Sequence, residues 1–390
     1  MKRNLLIVLC LLLVSVSVIT ACSNNKTALN SDNNGTDVAN KNADNEKELA
    51  NLKVGYIYVN HQTPLMLAAS KGKELNEKGV YLKEIIEKQK YILMDGETPI
   101  SNIELVVTKS GSETMTMTAQ GHLDISLASN TAFITSRDQE NDVKILCPIH
   151  TEGIGLVVDK NSDIENWEDF EKYIGKNNKP VTVGFHSPTS APLILFEAAL
   201  TEAGISYTKN PEDLKSDIML MDLKSTSNLI PALTSKQVEA WVGPSPYPEL
   251  ATTEGVGKII LDMKHLPPEG KWYDFPCCVV GSTEKVLATY PNEVEKFIEL
   301  LTIAADYSEK NPHIAAEITA EFTGVSIEAA EMSTIKYTTD PSESWMANMK
   351  ITYDTLKTTN SLSGKLKEKS FEDSKEEIFD LSFINKVLKK

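Results

Sequence analysis

Few side chains in this sequence can do chemistry, and their spacing is informative. Among 390 residues there are six histidines and five cysteines. The cysteines are Cys10, Cys22, Cys147, Cys277 and Cys278. No Cys-x-x-Cys pair and no His-Glu-x-x-His segment occurs, so no spacing announces a metal site. No metal, cofactor or catalytic residue is expected. His61 and His186 stand out by context, since each lies in a polar loop between an apolar run and a Pro-Leu helix start. Similar loops recur at Asn60–Thr63, Ser110–Ser112, Ser129–Thr131, His186–Ser190 and Ser225–Ser227. Small hydroxyl residues before a helix cap it and leave backbone N–H groups facing outward. A helix N-terminus carries partial positive charge and accepts an anion without any cationic side chain. That matters here, because Arg3 and Arg137 are the only arginines. A site of several guanidinium forks is excluded.

The elements that must position these loops follow from periodicity. From residue 52 the chain alternates short β-like runs with helical stretches, which is an α/β pattern. Strands are expected over 53–59, 104–108, 125–127, 144–149, 181–185, 218–221, 238–242 and 258–261. Helices are expected over 64–76, 113–120, 131–136, 191–203 and 228–234. After about residue 283 apolar residues keep helical spacing in five segments, near 284–290, 292–309, 312–322, 326–335 and 342–358. Two pieces of the first half recur in the second. "VGYIYVNHQTPLMLAA" (54–69) echoes "VGFHSPTSAPLILFEAA" (183–199), and "TAQGHLDISLASN" (118–130) echoes "LTSKQVEAWVGPS" (233–245). Two echoes in the same order imply two similar lobes. In open α/β sheets ligands bind beyond the carboxyl ends of strands, so facing lobes would hold a ligand between them.

Composition narrows the partners. Fifty-five acidic residues against 39 lysines and arginines give a net charge of −16. That balance argues against a nucleic-acid partner, since phosphate binding needs a basic surface. At the N-terminus, Lys2 and Arg3 precede an apolar run from Leu5 to Val18, the length of a signal-peptide core rather than of a transmembrane helix. Ile19-Thr20-Ala21-Cys22 then resembles the lipobox of bacterial lipoproteins. The resemblance implies removal of residues 1–21 and lipid on Cys22. Residues 22–50 are mostly Asn, Asp, Lys, Ser and Thr and are expected to form a disordered tether.

Four segments together resemble one family: "KVGYIYVNHQTPLMLAASKG", "SGSETMTMTAQGHLDISLASNTAF", "VEAWVGPSPYPELA" and "FPCCVVGS". They are similar to the nitrate/sulfonate/taurine-type (thiamine-pyrimidine synthase-like) substrate-binding proteins of ABC importers, over about residues 52–335. The resemblance implies a bilobed type II periplasmic-binding-protein fold. Lobe 1 would comprise 51–154 and 282–390, with the helical C-terminal segment packed on it, and lobe 2 residues 155–281. Hinge strands are expected near Gly155–Val158 and Cys278–Gly281. The implied ligand contacts fall on Asn60, His61, Thr63, Ser110, Gly111, Ser112, Ser129, Asn130, His186, Thr189, Ser190, Trp241 and Tyr247. Glu152 is added as a partner for a hydrogen-bonding or cationic part of the ligand. The implied partners are a small molecule, either a nitrate/sulfonate/taurine-like anion or a planar heterocycle, and an ABC permease, with a monomer held to the outer face of the membrane by its lipid. The stretch 80–102 departs from the family and is expected to add a hairpin turning at Asp95-Gly96. Two alternatives to solute delivery are a sensor co-receptor that presents the bound ligand to a membrane kinase and a thiamine-pyrimidine synthase-like enzyme, since the yeast-type synthase shares the implied fold and uses a cysteine-rich motif plus a histidine in iron-dependent chemistry. Here only two adjacent cysteines precede Val279-Val280, and they are expected to be inert small hydrophobes.

Overall fold

The echoed strand–loop–helix unit is built twice, each time as the centre of a separate sheet. The structure is a computed structural model that describes residues 48–390 apart from residue 178. The signal segment, Cys22 and almost all of the tether therefore lie outside the described residues. The first half contains β1 (Ala50–Ile57), α1 (Thr63–Lys71), β2 (Val80–Ile86), β3 (Lys90–Asp95), β4 (Thr98–Thr108), α2 (Gly111–Ala119), β5 (Ile125–Ser129), α3 (Asn130–Asp138) and β6 (Val143–Pro148). A two-residue β7 (His150–Thr151) leads to β8 (Ile154–Asp159), α4 (Trp167–Lys176), β9 (Val181–Phe185), α5 (Ala191–Glu202), β10 (Tyr207–Thr208) and β11 (Ile218–Asp222). Then come α6 (Leu229–Thr234), β12 (Ala240–Pro244), α7 (Tyr247–Thr253), β13 (Gly257–Asp262) and β14 (Cys278–Thr283). The helical remainder holds α8 (Glu284–Thr289), α9 (Pro291–Lys310), α10 (Pro312–Thr323), α11 (Ile327–Glu331), β15 (Lys336–Tyr337), α12 (Glu343–Thr358), α13 (Phe371–Ile378) and α14 (Ser382–Leu388).

The first sheet runs β2-β3-β4-β1-β5-β14-β6 and the second β10-β11-β9-β12-β8-β13. Five strands correspond in order: β4-β1-β5-β14-β6 matches β11-β9-β12-β8-β13. In each sheet the central echoed strand, β1 or β9, pairs in parallel on both sides. Among the five corresponding strands of each, one is antiparallel to both of its neighbours: β14 in the first, β8 in the second. Both are strands that the chain enters on crossing from the other sheet. Helices cover the sheets, so the central strands read as apolar runs rather than alternations; all of β5 and all of β12 are buried. At the surface, by contrast, α4 buries only one stripe, Trp167, Phe170 and Ile174, and Asn166 caps it by accepting from the Asp169 amide.

The crossovers differ in place from the expected hinge strands. Gly155–Val158 lies inside β8, wholly in the second sheet, and Cys278–Gly281 lies inside β14, wholly in the first. The chain crosses at 149–153 and returns over 263–277, after an uninterrupted second-sheet strand that ends at Asp262. The two crossovers are stitched together: Thr151 bridges Pro276, and the Glu152 amide donates to Phe275 O at 3.0 Å. The 80–102 stretch forms an antiparallel meander that extends the first sheet edge, with Gly96 at φ +55° in the turn between β3 and β4. The C-terminal helices pack on the first-sheet side, where α13 and α14 meet α3, β6 and α9, while α12 also touches α5.

Candidate functional site

The two echoed loops meet across a cleft between the sheets. From the first-sheet side, Ile57, Val59, His61, Gly111, Ser129 and the Cys277-Cys278 pair line a cavity. His186, Ser190, Ala191, Pro192, Thr226 and Pro244 close it from the second. The space is only ≈ 30 Å³, far below the roughly 300–1,000 Å³ of a drug-sized pocket. The walls touch directly beside it. Ser112 Oγ lies 2.8 Å from Ser187 Oγ and 2.9 Å from Thr189 Oγ1. Ser129 Oγ and Thr131 Oγ1 donate to Thr189 O at 3.0 and 2.6 Å. Hydroxyls expected to hold a ligand thus hold the two lobes together.

The helix N-termini around the cavity are not equivalent. Ser110 caps α2 and Ser129 caps α3 by accepting from backbone amides. The α5 N-terminus, at Ser190-Ala191-Pro192, has no side-chain cap, because Ser190 Oγ donates instead to Ser187 O at 2.8 Å. Beside it, His186 Nδ1 is buried with no hydrogen-bond partner. Burial, with His61 nearby, pushes the His186 pKa down to about 4, so its imidazole is neutral at neutral pH. An uncapped helix end and a neutral imidazole present a polar, anion-tolerant wall inside an otherwise apolar cavity.

Of the expected contacts, His61, Gly111, Ser129, His186 and Ser190 line the cavity. Ser112 and Thr189 sit at its rim as the latch described above, and Ser110 serves as the α2 cap. Others are drawn into the framework. Asn60 Nδ2 donates to Ala330 O, Thr63 Oγ1 meets Thr319 Oγ1 at 2.6 Å, and Asn130 Nδ2 donates to Pro276 O at 2.8 Å. Glu152, at φ +65°, accepts from Lys264 Nζ at 2.9 Å and from the Asp274 amide at 3.0 Å, and so ties the crossovers together. Trp241 is fully buried in the second-lobe core, and Tyr247 packs at the edge of that same cluster. Thr226 and Pro244 were not named among the expected contacts, although Thr226 lay in one of the five hydroxyl loops and Pro244 lies between Trp241 and Tyr247.

At the crossovers, where His61, Cys277 and Cys278 form part of the cavity wall, four side chains converge without any sequence spacing to announce them. His61, His150, Cys277 and Cys278 are buried, with donor atoms all within 4.8 Å of one another. His61 Nε2 lies 2.7 Å from Gly153 O, and its Nδ1 lies 3.4 Å from Cys277 Sγ and 3.6 Å from Cys278 Sγ. The two imidazole rings are 4.0 Å apart between centroids. Burial raises the Cys277 thiol pKa, while the hydrogen bond from Cys277 and the adjacent imidazoles lower that of Cys278. Burial and the His61 ring lower that of His150. The expectation that this cysteine pair is mere apolar filling did not include its two histidine neighbours, which lie 127 or more residues away in sequence.

Residues 45–322 match the NMT1-like family. A 115-residue stretch is 29% identical to an uncharacterized protein of Methanocaldococcus jannaschii, covering 29% of this chain and 79% of that one. Solved structures share the fold at low identity. A zinc-bound ligand-binding component of an ABC-type import system from Staphylococcus aureus has a TM-score of 0.66 and 15% identity, over 87% of this chain and 99% of that one. The periplasmic nitrate-binding protein NrtA of Synechocystis has a TM-score of 0.66 and 14% identity, over 88% and 89%. The alkanesulfonate-binding protein SsuA of Xanthomonas axonopodis, bound to MOPS, has a TM-score of 0.61 and 17% identity, over 81% and 95%. The periplasmic-binding-protein architecture is therefore the fold of this chain.

Proposed function

This chain belongs to the NMT1-like family, and from that premise we propose that it is the solute-binding component of an ABC importer, capturing a small anion between its lobes. The observation that carries this reading is the uncapped α5 N-terminus beside the unpartnered Nδ1 of His186, both facing the interlobe cavity. A helix end and a neutral N–H donor suit a sulfonate or nitrate group, and need no arginine. The nitrate- and alkanesulfonate-binding proteins among the structural neighbours support the same ligand class. The cross-lobe hydroxyl contacts support a closed state that a ligand would select over an open one. No bond need be broken, so the protein acts by binding and delivery to a permease, not as an enzyme. The lipobox at Cys22 supports a lipid-anchored position outside the cytoplasm, and no described helix is long and apolar enough to cross a membrane.

Calorimetry and thermal unfolding against nitrate, taurine, alkanesulfonates and planar pyrimidines test the reading. A true ligand at 100 times its Kd raises stability by about 2.7 kcal/mol. His186→Ala and Ser190→Ala are each expected to weaken that ligand several-fold with little change in the ligand-free Tm. If only planar heterocycles bind, or if both variants bind like the parent, the anion reading is lost.

A further inference from the structure

The first-sheet wall of the cavity, together with His150 behind it, carries a second site. His61 stands on the loop after β1, His150 on β7 in the outgoing crossover, and Cys277-Cys278 where the returning crossover enters β14. We propose that His61, His150, Cys277 and Cys278 bind one zinc ion where the two crossovers meet the first sheet. This goes beyond solute capture and does not depend on it.

The ring of His61 is already oriented for ligation. Its Nε2 faces the Gly153 carbonyl at 2.7 Å. A carbonyl only accepts, so Nε2 carries the hydrogen and Nδ1 is bare. Metal-bound imidazoles are held in this way by a backbone carbonyl or carboxylate on the far nitrogen. Gly153 cannot be replaced without disturbing that arrangement: it has φ +72°, and a Cβ there would sit 2.3 Å from Ile335 and 3.1 Å from His61 Nε2.

The bare Nδ1 then faces two thiols, at 3.4 and 3.6 Å. One lone pair cannot accept well from both. An ion between the three atoms satisfies all of them. With zinc–nitrogen and zinc–sulfur bonds of about 2.0 and 2.3 Å at tetrahedral angles, nitrogen and sulfur lie about 3.5 Å apart. The observed separations straddle that value. His150 is the fourth donor. Its Nε2 now accepts from the Cys278 amide at 3.2 Å, so it exchanges that amide for the ion. Two thiolates neutralise a divalent cation, which makes a buried charge tolerable. Two sulfurs and two imidazole nitrogens select zinc over magnesium or calcium, which take oxygen ligands. Such an ion would tie the β1 loop to both crossovers.

The test uses the full chain, reduced and metal-free, with Zn2+ alone and no solute. Competition with a chromogenic chelator and elemental analysis should find one zinc per chain and a higher Tm on loading, reversed by chelation. Co2+ in place of zinc should give the strong visible bands of a tetrahedral site and a thiolate-to-cobalt charge-transfer band. Cys277→Ser, Cys278→Ser and His61→Gln should each weaken zinc binding about 100-fold or more. His150→Gln should weaken it less, about tenfold. Cys147→Ala removes a buried thiol outside the set and should leave the charge-transfer band unchanged. Binding of less than one equivalent by the parent, or an octahedral cobalt spectrum without the thiolate band, overturns the proposal. So does retention of the band in both Cys→Ser variants, which can be read even if one of them is less stable. None of these outcomes bears on solute capture, because no solute is present.

Discussion

His186 illustrates how much a single residue's setting decides. It sits in a loop that any capping histidine could occupy, yet its Nδ1 has no partner and its pKa is pushed down to about 4 by burial. An unfolded histidine titrates near 6.5. Between those values the unfolded chain binds a proton that the folded chain refuses, so stability falls as pH drops from about 6.5 towards 4. The fully developed loss at this residue is about 3 kcal/mol. Urea unfolding at pH 7 and pH 4.5 should therefore show a smaller acid loss in His186→Gln than in the parent. Equal losses would mean that His186 is hydrated and does not line a closed cavity. The low pKa also means that any anion binding here depends on N–H donation from neutral groups, so its affinity should be flat from pH 6.5 to 8.

At the scale of elements, three helices that begin at the cavity are capped differently. Ser110 and Ser129 satisfy their own helices, whereas Ser190 turns to Ser187 and leaves α5 open. The C-terminal segment depends on an equally local device. Asp138, fully buried at the end of α3, accepts from the amides of Ser363, Gly364 and Leu366 at 2.8, 2.7 and 2.8 Å. These bonds anchor the chain between α12 and α13 on the first lobe. Removing the carboxylate strands three amides, so Asp138→Ala should cost about 3–5 kcal/mol and expose residues 360–370 to proteolysis. A loss under about 1 kcal/mol with unchanged protease resistance would show that the apolar faces of α12 and α13 hold the segment alone. Sequence periodicity found α8 to α12 but not α13 and α14. It also missed α4, α7 and the two-residue strands β7, β10 and β15.

For the whole molecule, the proposed place rests on the lipobox-like segment at Cys22 and the proposed action on the paired sheets. Cys22→Ser should abolish incorporation of labelled lipid and release the protein from the membrane; undiminished labelling would remove the anchor from the reading. The α/β class, the two lobes and the five hydroxyl loops were legible in the chain because they depend on local periodicity and on a repeat. The matching strand orders, with β1 and β9 at equivalent places, bear out the repeat. Net charge and the near-absence of arginine also restricted the ligand chemistry without any coordinates. Tertiary structure alone decided which hydroxyls line the cavity and which bridge the lobes, since both uses need the same residue types in the same loops. It placed Trp241 in the core and Glu152 at the crossovers, where β strand pairing and an ion pair outweigh exposure to a ligand. It alone brought His61 to Cys277 and Cys278, because their contact spans more than 200 residues and is made by two crossovers, with no local pattern to record it.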